Sequence, residues 1–200
     1  MTSQINQSKK KISRNKAFTL VEILVALAVF NLIVGAVLTI FVSAISAQRK
    51  TLASQELLDQ TSYVLEYLSR TIRMAKKDLS GACLTTVGAN YQTNLEENRI
   101  RFLNYQDKCQ EFFLEGNQIM ENKSQDNTAA GFANPLYLTS PKLKIISFKI
   151  GPSESWDQED NLQPRLTLFL GIKGAGQKPE QQPEIKIQTT ISQRNLDIRQ

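Results

Sequence analysis

The hydrophobic pattern divides the chain into three stretches of different period. From Phe18 to Ala47 nearly every position is apolar; Glu22 is the only charge and Asn31 the only strongly polar neutral residue. A segment with no polar face at helical spacing is apolar all round, which surface helices of soluble domains are not. Thirty helical residues span about 45 Å, against a hydrocarbon core of about 30 Å that takes about 20 residues to cross. This stretch is therefore predicted to be a helix that spans a bilayer with turns to spare.

Residues 48–80 continue the helix with a different pattern. Leu58, Leu65, Ile72 and Leu79 recur every seventh position, with Thr61, Leu68 and Ala75 between them, which makes one apolar stripe. Gln55, Glu56, Asp59, Glu66, Arg70, Arg73 and Lys77 lie on the opposite face. Neither Pro nor Gly interrupts 36–80, and Gly81 is the predicted helix stop. The repeat is too short for a free coiled coil, so the stripe is predicted to pack on a sheet.

Beyond residue 81 the period becomes two. Ile100 and Phe102 alternate with Arg99 and Arg101, and Phe112 and Leu114 with Glu111, Phe113 and Glu115. Glu115-Gly116-Asn117 reads as a hairpin turn into Gln118-Ile119-Met120. Leu143 and Ile145 share one parity while Ile146, Phe148 and Ile150 share the other, which predicts a bulge near Ile145–Ile146 or a strand covered on both sides. Leu166, Leu168 and Leu170, then Ile185, Ile187 and Ile191, predict an antiparallel pair across a Gly/Pro/Gln-rich loop at 171–183. The polar stretches 121–134 and 151–163 read as long loops. One helix followed by antiparallel strands is an α+β arrangement.

Charge alters the picture through its position. The chain of 200 residues carries 24 Lys plus Arg and 19 Asp plus Glu, a net +5. Five cations, Lys9, Lys10, Lys11, Arg14 and Lys16, precede the apolar run, and no acid precedes Glu22. The remainder is balanced, 24 − 5 = 19 cations against 19 acids, so no general basic surface for nucleic acid is expected, and Arg70, Arg73, Lys76 and Lys77 read as a solvated helical face. Cations ahead of a span place the N-terminus in the cytoplasm and residues 48–200 outside. The chain has no His, which excludes His-based triads, Cys–His pairs and His zinc sites within it, and its two Cys cannot by themselves complete a four-Cys metal site. A secretory signal peptide cut after Ala44, following Val42-Ser43-Ala44, is the rival reading. Its apolar core is about 7–15 residues, half the run seen here, and an acid at its start is out of place. A carboxylate at mid-membrane depth costs about 2.5–3.5 kcal/mol and less near an end, so Glu22 requires a reason.

The stretch Lys16-Ala17-Phe18-Thr19-Leu20-Val21-Glu22-Ile23-Leu24-Val25-Ala26-Leu27-Ala28-Val29 resembles the processing and anchor motif of type IV pilins and type II secretion pseudopilins. The resemblance implies a basic leader, 1–17, cut by a prepilin peptidase between Ala17 and Phe18, followed by N-methylation of Phe18. It also implies glutamate at the fifth mature position, here Glu22. The family usually has Gly before the cut; Ala17 is the next-smallest residue, so cleavage is expected to be retained, at a slower rate. In a bundle of parallel helices, Glu22 of one subunit would neutralise the Phe18 amine of its neighbour and set an axial register, the rival role being a carboxylate that snorkels to the cytoplasmic interface. Arg70 and Arg73 after Tyr67-Leu68, and the closing Gln188-Thr189-Thr190-Ile191-Ser192-Gln193-Arg194-Asn195, resemble minor pilins and J-type minor pseudopilins more loosely. Major pilins often carry a Pro in the second half of the membrane helix; Gly35 to Phe41 has none, and Gly35 is its one intrinsic weak point.

With residues 48–200 outside, Cys83 and Cys109 face an oxidising compartment where a disulfide is the default, worth on the order of 3.5 kcal/mol in the chain-entropy account. Two buried free thiols are the alternative. Glu154, Asp157, Glu159 and Asp160 lack calcium-loop spacing and read as a solvated acidic loop, so no metal is expected. Trp156 among them is a candidate partner anchor. The run Gly171-Ile172-Lys173-Gly174-Ala175-Gly176 lacks a phosphate-loop ending and reads as turn glycines.

The resulting expectation is a pilin-like α+β fold: leader 1–17, transmembrane and assembly half-helix 18–47, amphipathic half 48–80, and an antiparallel β region 81–200. The function implied is a non-enzymatic structural subunit, a minor pilin or pseudopilin without cofactor. Its partners would be sister major and minor pilins, the prepilin peptidase, an inner-membrane assembly platform and membrane lipid, with no direct nucleic acid. The alternatives are a single-pass membrane-anchored ligand-binding protein outside any filament, and a secreted enzyme released at Ala44.

Overall fold

The computed structural model describes residues 18–153, 156 and 163–194. One helix, α1 (Leu20–Arg73), is followed by eight strands: β1 (Gln92–Thr93), β2 (Arg99–Leu103), β3 (Cys109–Glu115), β4 (Gln118–Lys123), β5 (Leu136–Tyr137), β6 (Leu143–Gly151), β7 (Arg165–Gly174) and β8 (Glu184–Ser192). The α+β class is as expected, but the strands form two antiparallel sheets rather than one, β1-β2-β3-β4-β5 and β6-β7-β8. The chain divides at Ile45/Ser46 into two compact units. The first holds the apolar start of α1 and the second holds the rest of α1 with both sheets.

In the second unit the buried face of α1 is Leu57, Thr61, Val64, Leu68 and Ile72. Its steps of four, three, four and four average closer to 3.6 than to the 3.5 of a heptad. The predicted stripe was right at Thr61, Leu68, Ile72 and Ala75 and wrong at its ends, because Leu58 and Leu79 are 49% and 64% exposed. An α-helix that is not supercoiled drifts about 20° per heptad against a seven-residue repeat. One position of drift at the start exchanges Leu58 for Leu57.

The helix also ends at Arg73, not near residue 80. The backbone groups at and just beyond its end are taken up by distant segments. The Tyr91 hydroxyl donates to Ile72 O at 2.9 Å. Arg194 N–H donates to Arg73 O, and Lys76 N–H to Leu103 O, both at 2.8 Å. The Gln193 amide donates to Ala75 O at 2.5 Å. With Lys76 N–H turned to Leu103 O, the donor that would bond Ile72 O in a further α-helical turn is diverted. Arg70 and Arg73 in the last turn suit the negative end of the helix dipole.

The core joins this helix face to the inner rows of both sheets: Ile100, Phe102, Phe112 and Ile119 from the first, and Ile145, Phe148, Ile150, Leu166, Leu168, Leu170 and Ile172 from the second. Tyr67 and Phe112 meet edge to face at 6.0 Å, as do Tyr91 and Trp156 at 5.6 Å. Gly116, at φ +60°, makes the β3–β4 turn where the sequence placed it. The bulge is also where parity predicted it: Ile145 pairs with Ile172 and Ser147 with Gly171, leaving Ile146 unpaired. Gly171 lies inside β7 rather than in a turn, and a Cβ there would stand 2.9 Å from Ile146 Cγ1. Gly174 is the last residue of β7, so the loop before β8 is shorter than 171–183.

Truncating the two adjacent leucines distinguishes the two registers of α1. Leu57→Ala is expected to lower the stability of the full chain in detergent by about 2–5 kcal/mol, and Leu58→Ala by about 0.5 kcal/mol or less, as read by thermal or denaturant unfolding followed by circular dichroism.

Candidate functional site

The first unit begins with Phe18 and Thr19 ahead of the helix. Thr19 is the N-cap: its hydroxyl accepts from Glu22 N–H at 3.3 Å, and its carbonyl accepts from Ile23 N–H at 3.2 Å. Thr19-Leu20-Val21-Glu22 is therefore a capping sequence, with Glu22 at the third helical position. A carboxylate in the first turn is stabilised by the positive end of the helix dipole. This gives Glu22 a local role at the helix start, one that the pattern Thr-x-x-Glu carries in four residues. Phe18, 73% exposed, immediately precedes the cap. Ala17 and the leader cations lie outside the described residues.

From Phe18 to Ala44 every residue is exposed, with no polar face. Thr39 returns its hydroxyl to Gly35 O at 2.9 Å, which satisfies a polar group without water. Among the described residues this is the one helix long and apolar enough to cross a membrane.

The second unit carries the other predicted site. Cys83 and Cys109 form a disulfide with Cα atoms 5.3 Å apart. The bond sits in a small core of its own with Leu84, Ala89 and Leu103. What positions Cys83 is Asp78, 1% exposed, whose carboxylate accepts from Ser80 N–H and hydroxyl, Gly81 N–H, and the N–H groups of Cys83 and Leu84 at 2.8–3.1 Å. Gly81 takes φ +69° within this turn and so serves the anion cradle rather than a helix end. Burial raises the Asp78 pKa, but the donors from Leu84, Ser80 and Cys83 more than offset it, and the carboxyl lies below its ordinary value.

Other candidates resolve differently. Trp156 is not an exposed anchor: it is 3% exposed, packs on Tyr91, and donates its indole N–H to Arg165 O at 2.8 Å. Glu154, Asp157, Glu159 and Asp160 lie outside the described residues, and among the described residues no cluster of metal-ligating side chains occurs. Buried Glu111 is held by Arg101 at 2.9 Å and Arg99 at 3.3 Å, so the acid accounts for both cations.

The family model of the prokaryotic N-terminal methylation motif matches residues 12–45. The N-terminal segment is thus of the type IV pilin and pseudopilin kind. The match spans well under half of the chain, and no curated protein and no solved structure matches.

Replacing Asp78 by Asn puts an amide among five donors and is expected to cost about 2–4 kcal/mol at neutral pH. A carboxyl with a depressed folded pKa stabilises the fold above its unfolded value, about 3.9, and that contribution is lost as pH falls through the lower folded value. The difference between the parent chain and Asp78→Asn should therefore be constant above about pH 5 and shrink below about pH 4, measured by unfolding at each pH.

Proposed function

We propose that this chain is a minor pilin or J-type minor pseudopilin, a structural subunit of a type IV pilus or a type II secretion-like filament. The observation that carries the reading is a methylation-motif segment leading into a helix start that is uniformly apolar and exposed. Such a surface has two compatible environments, a lipid bilayer and a bundle of similar helices.

In this reading the leader stays in the cytoplasm and residues 48–200 lie outside. A prepilin peptidase cuts between Ala17 and Phe18, and the new Phe18 amine is methylated. The mature chain then loses the five leader cations. Its first charges are the amine on Phe18 and Glu22 in the first helical turn. In one chain the Thr19 cap holds Glu22 at the helix start. In an assembly, Glu22 faces the Phe18 amine of a neighbouring subunit, and two ions that are costly in an apolar bundle neutralise one another. The assembly platform of the inner membrane and sister major and minor pilins are the partners this role requires.

Intact-mass and N-terminal analysis of the chain co-expressed with a prepilin peptidase tests the reading. The expected product begins at methylated Phe18, and Ala17→Gly raises its rate of appearance. A chain that keeps its leader points to a lone membrane-anchored binding protein, and a product beginning at Ile45 to a secreted one.

A further inference from the structure

The edges of the two sheets differ in how they are protected. A free edge offers a row of N–H and C=O groups to any passing strand, and folds normally blunt it by shortness, bulges, charge or Pro. β1 and β5, the edges of the five-stranded sheet, have two residues each. β6 carries the bulge at Ile146, and its backbone is bonded to neighbouring loops, Ile145 N–H to Asn117 O at 2.8 Å and Ile150 N–H to Glu97 O at 2.9 Å. β8 is protected by neither shortness nor a bulge. It pairs with β7 residue for residue from Glu184 to Ser192 without a bulge, and among the described residues no strand pairs with its outer edge. Its charges, Glu184 and Lys186, sit at its start, and Ile187-Gln188-Thr189-Thr190-Ile191-Ser192 is uncharged, free of Pro and Gly, and mostly β-branched.

We propose that β8 is a self-pairing edge, to which a second copy of this chain adds its own β8 antiparallel about a two-fold axis through Gln188, joining two three-stranded sheets into one of six strands. This register pairs all nine residues of the strand. On the inward face Ile185 meets the second copy's Ile191, and Ile187 its Thr189, so the half-buried isoleucines of the edge lose their remaining exposure. On the outward face Glu184 meets Ser192, Lys186 meets Thr190, and Gln188 meets itself, so no like charges stand opposite one another. Gln188 lies beside Phe169 of β7, which is 42% exposed. The pairing thus sets one Phe169 on each side of the central glutamines. The contact goes beyond the filament reading and stands whether or not the chain enters a filament.

Cysteine crosslinking of the full chain in detergent tests it, because the two native cysteines are already joined. Directly opposed Cα atoms in an antiparallel pair are about 4.5–5.5 Å apart, within disulfide reach. Gln188→Cys is therefore expected to give a disulfide-linked dimer under mild oxidant. Thr190→Cys, whose counterpart would lie about 13 Å along the strand, should stay monomeric. Ser192→Glu in the Gln188→Cys background places a second acid opposite Glu184 and should suppress the dimer, and adding Glu184→Lys should restore it. Equal crosslinking at 188 and 190, no crosslink at 188, crosslinking only to a different protein, or a dimer indifferent to the charge changes would each overturn the proposal.

Discussion

The helix α1 must satisfy two different solvents along one hydrogen-bonded run, and the rest of the molecule follows from that. Up to Ala44 its side chains form no polar face and every described residue is exposed. From Leu57 it presents a single stripe that two sheets bury. No single environment suits both halves. Water would leave the first exposed at a cost of about 25 cal/mol per Å² of apolar surface, and lipid would strand the charges of the second. Glu22 is the exception to the first rule, and its place at the capped start of the helix is where a carboxylate costs least.

The outer domain is organised around the other end of the same helix. Ile72, Arg73 and Ala75 each give a carbonyl to a residue far away in sequence, and Lys76 takes one from Leu103. These bonds tie the first sheet, through Leu103 and the residue before β1, and the segment after β8 to one helix terminus. The chain leaving that terminus is then gathered by Asp78 into a turn that delivers Cys83 to Cys109. The acid shapes the loop and the disulfide closes it.

Much of this was legible from residue pattern where the physics is local. The parity change at Ile145–Ile146 announced the bulge, Gly116 the hairpin, and Thr19 with Glu22 held a cap whose signature is four residues long. The N-terminal motif needed only about 30 contiguous positions. What escaped depends on contacts distant in sequence. Leu57 rather than Leu58 is buried because the helix keeps its own period, which a heptad count does not respect. The helix stops at Arg73 where Lys76 N–H turns to Leu103 and residues 91, 193 and 194 take up carbonyls at and just past its end, and Gly81 misleads because it serves Asp78 instead. Trp156 reads as exposed among its acidic neighbours, whereas its ring lies against Tyr91 in the core. The division into two sheets is set by which strands meet, and alternation alone does not encode it.

The central claim is that the capped, exposed apolar helix start is an assembly surface and that Glu22 gives it its register. The most direct measurement is recovery of the mature chain in a sheared and pelleted filament fraction, compared between the parent and Glu22→Ala, with processing at Phe18 verified by mass in both. The account predicts that both chains are processed, that the parent is found with the filaments, and that Glu22→Ala stays in the membrane fraction. Equal recovery of the two chains in the filament fraction would contradict it.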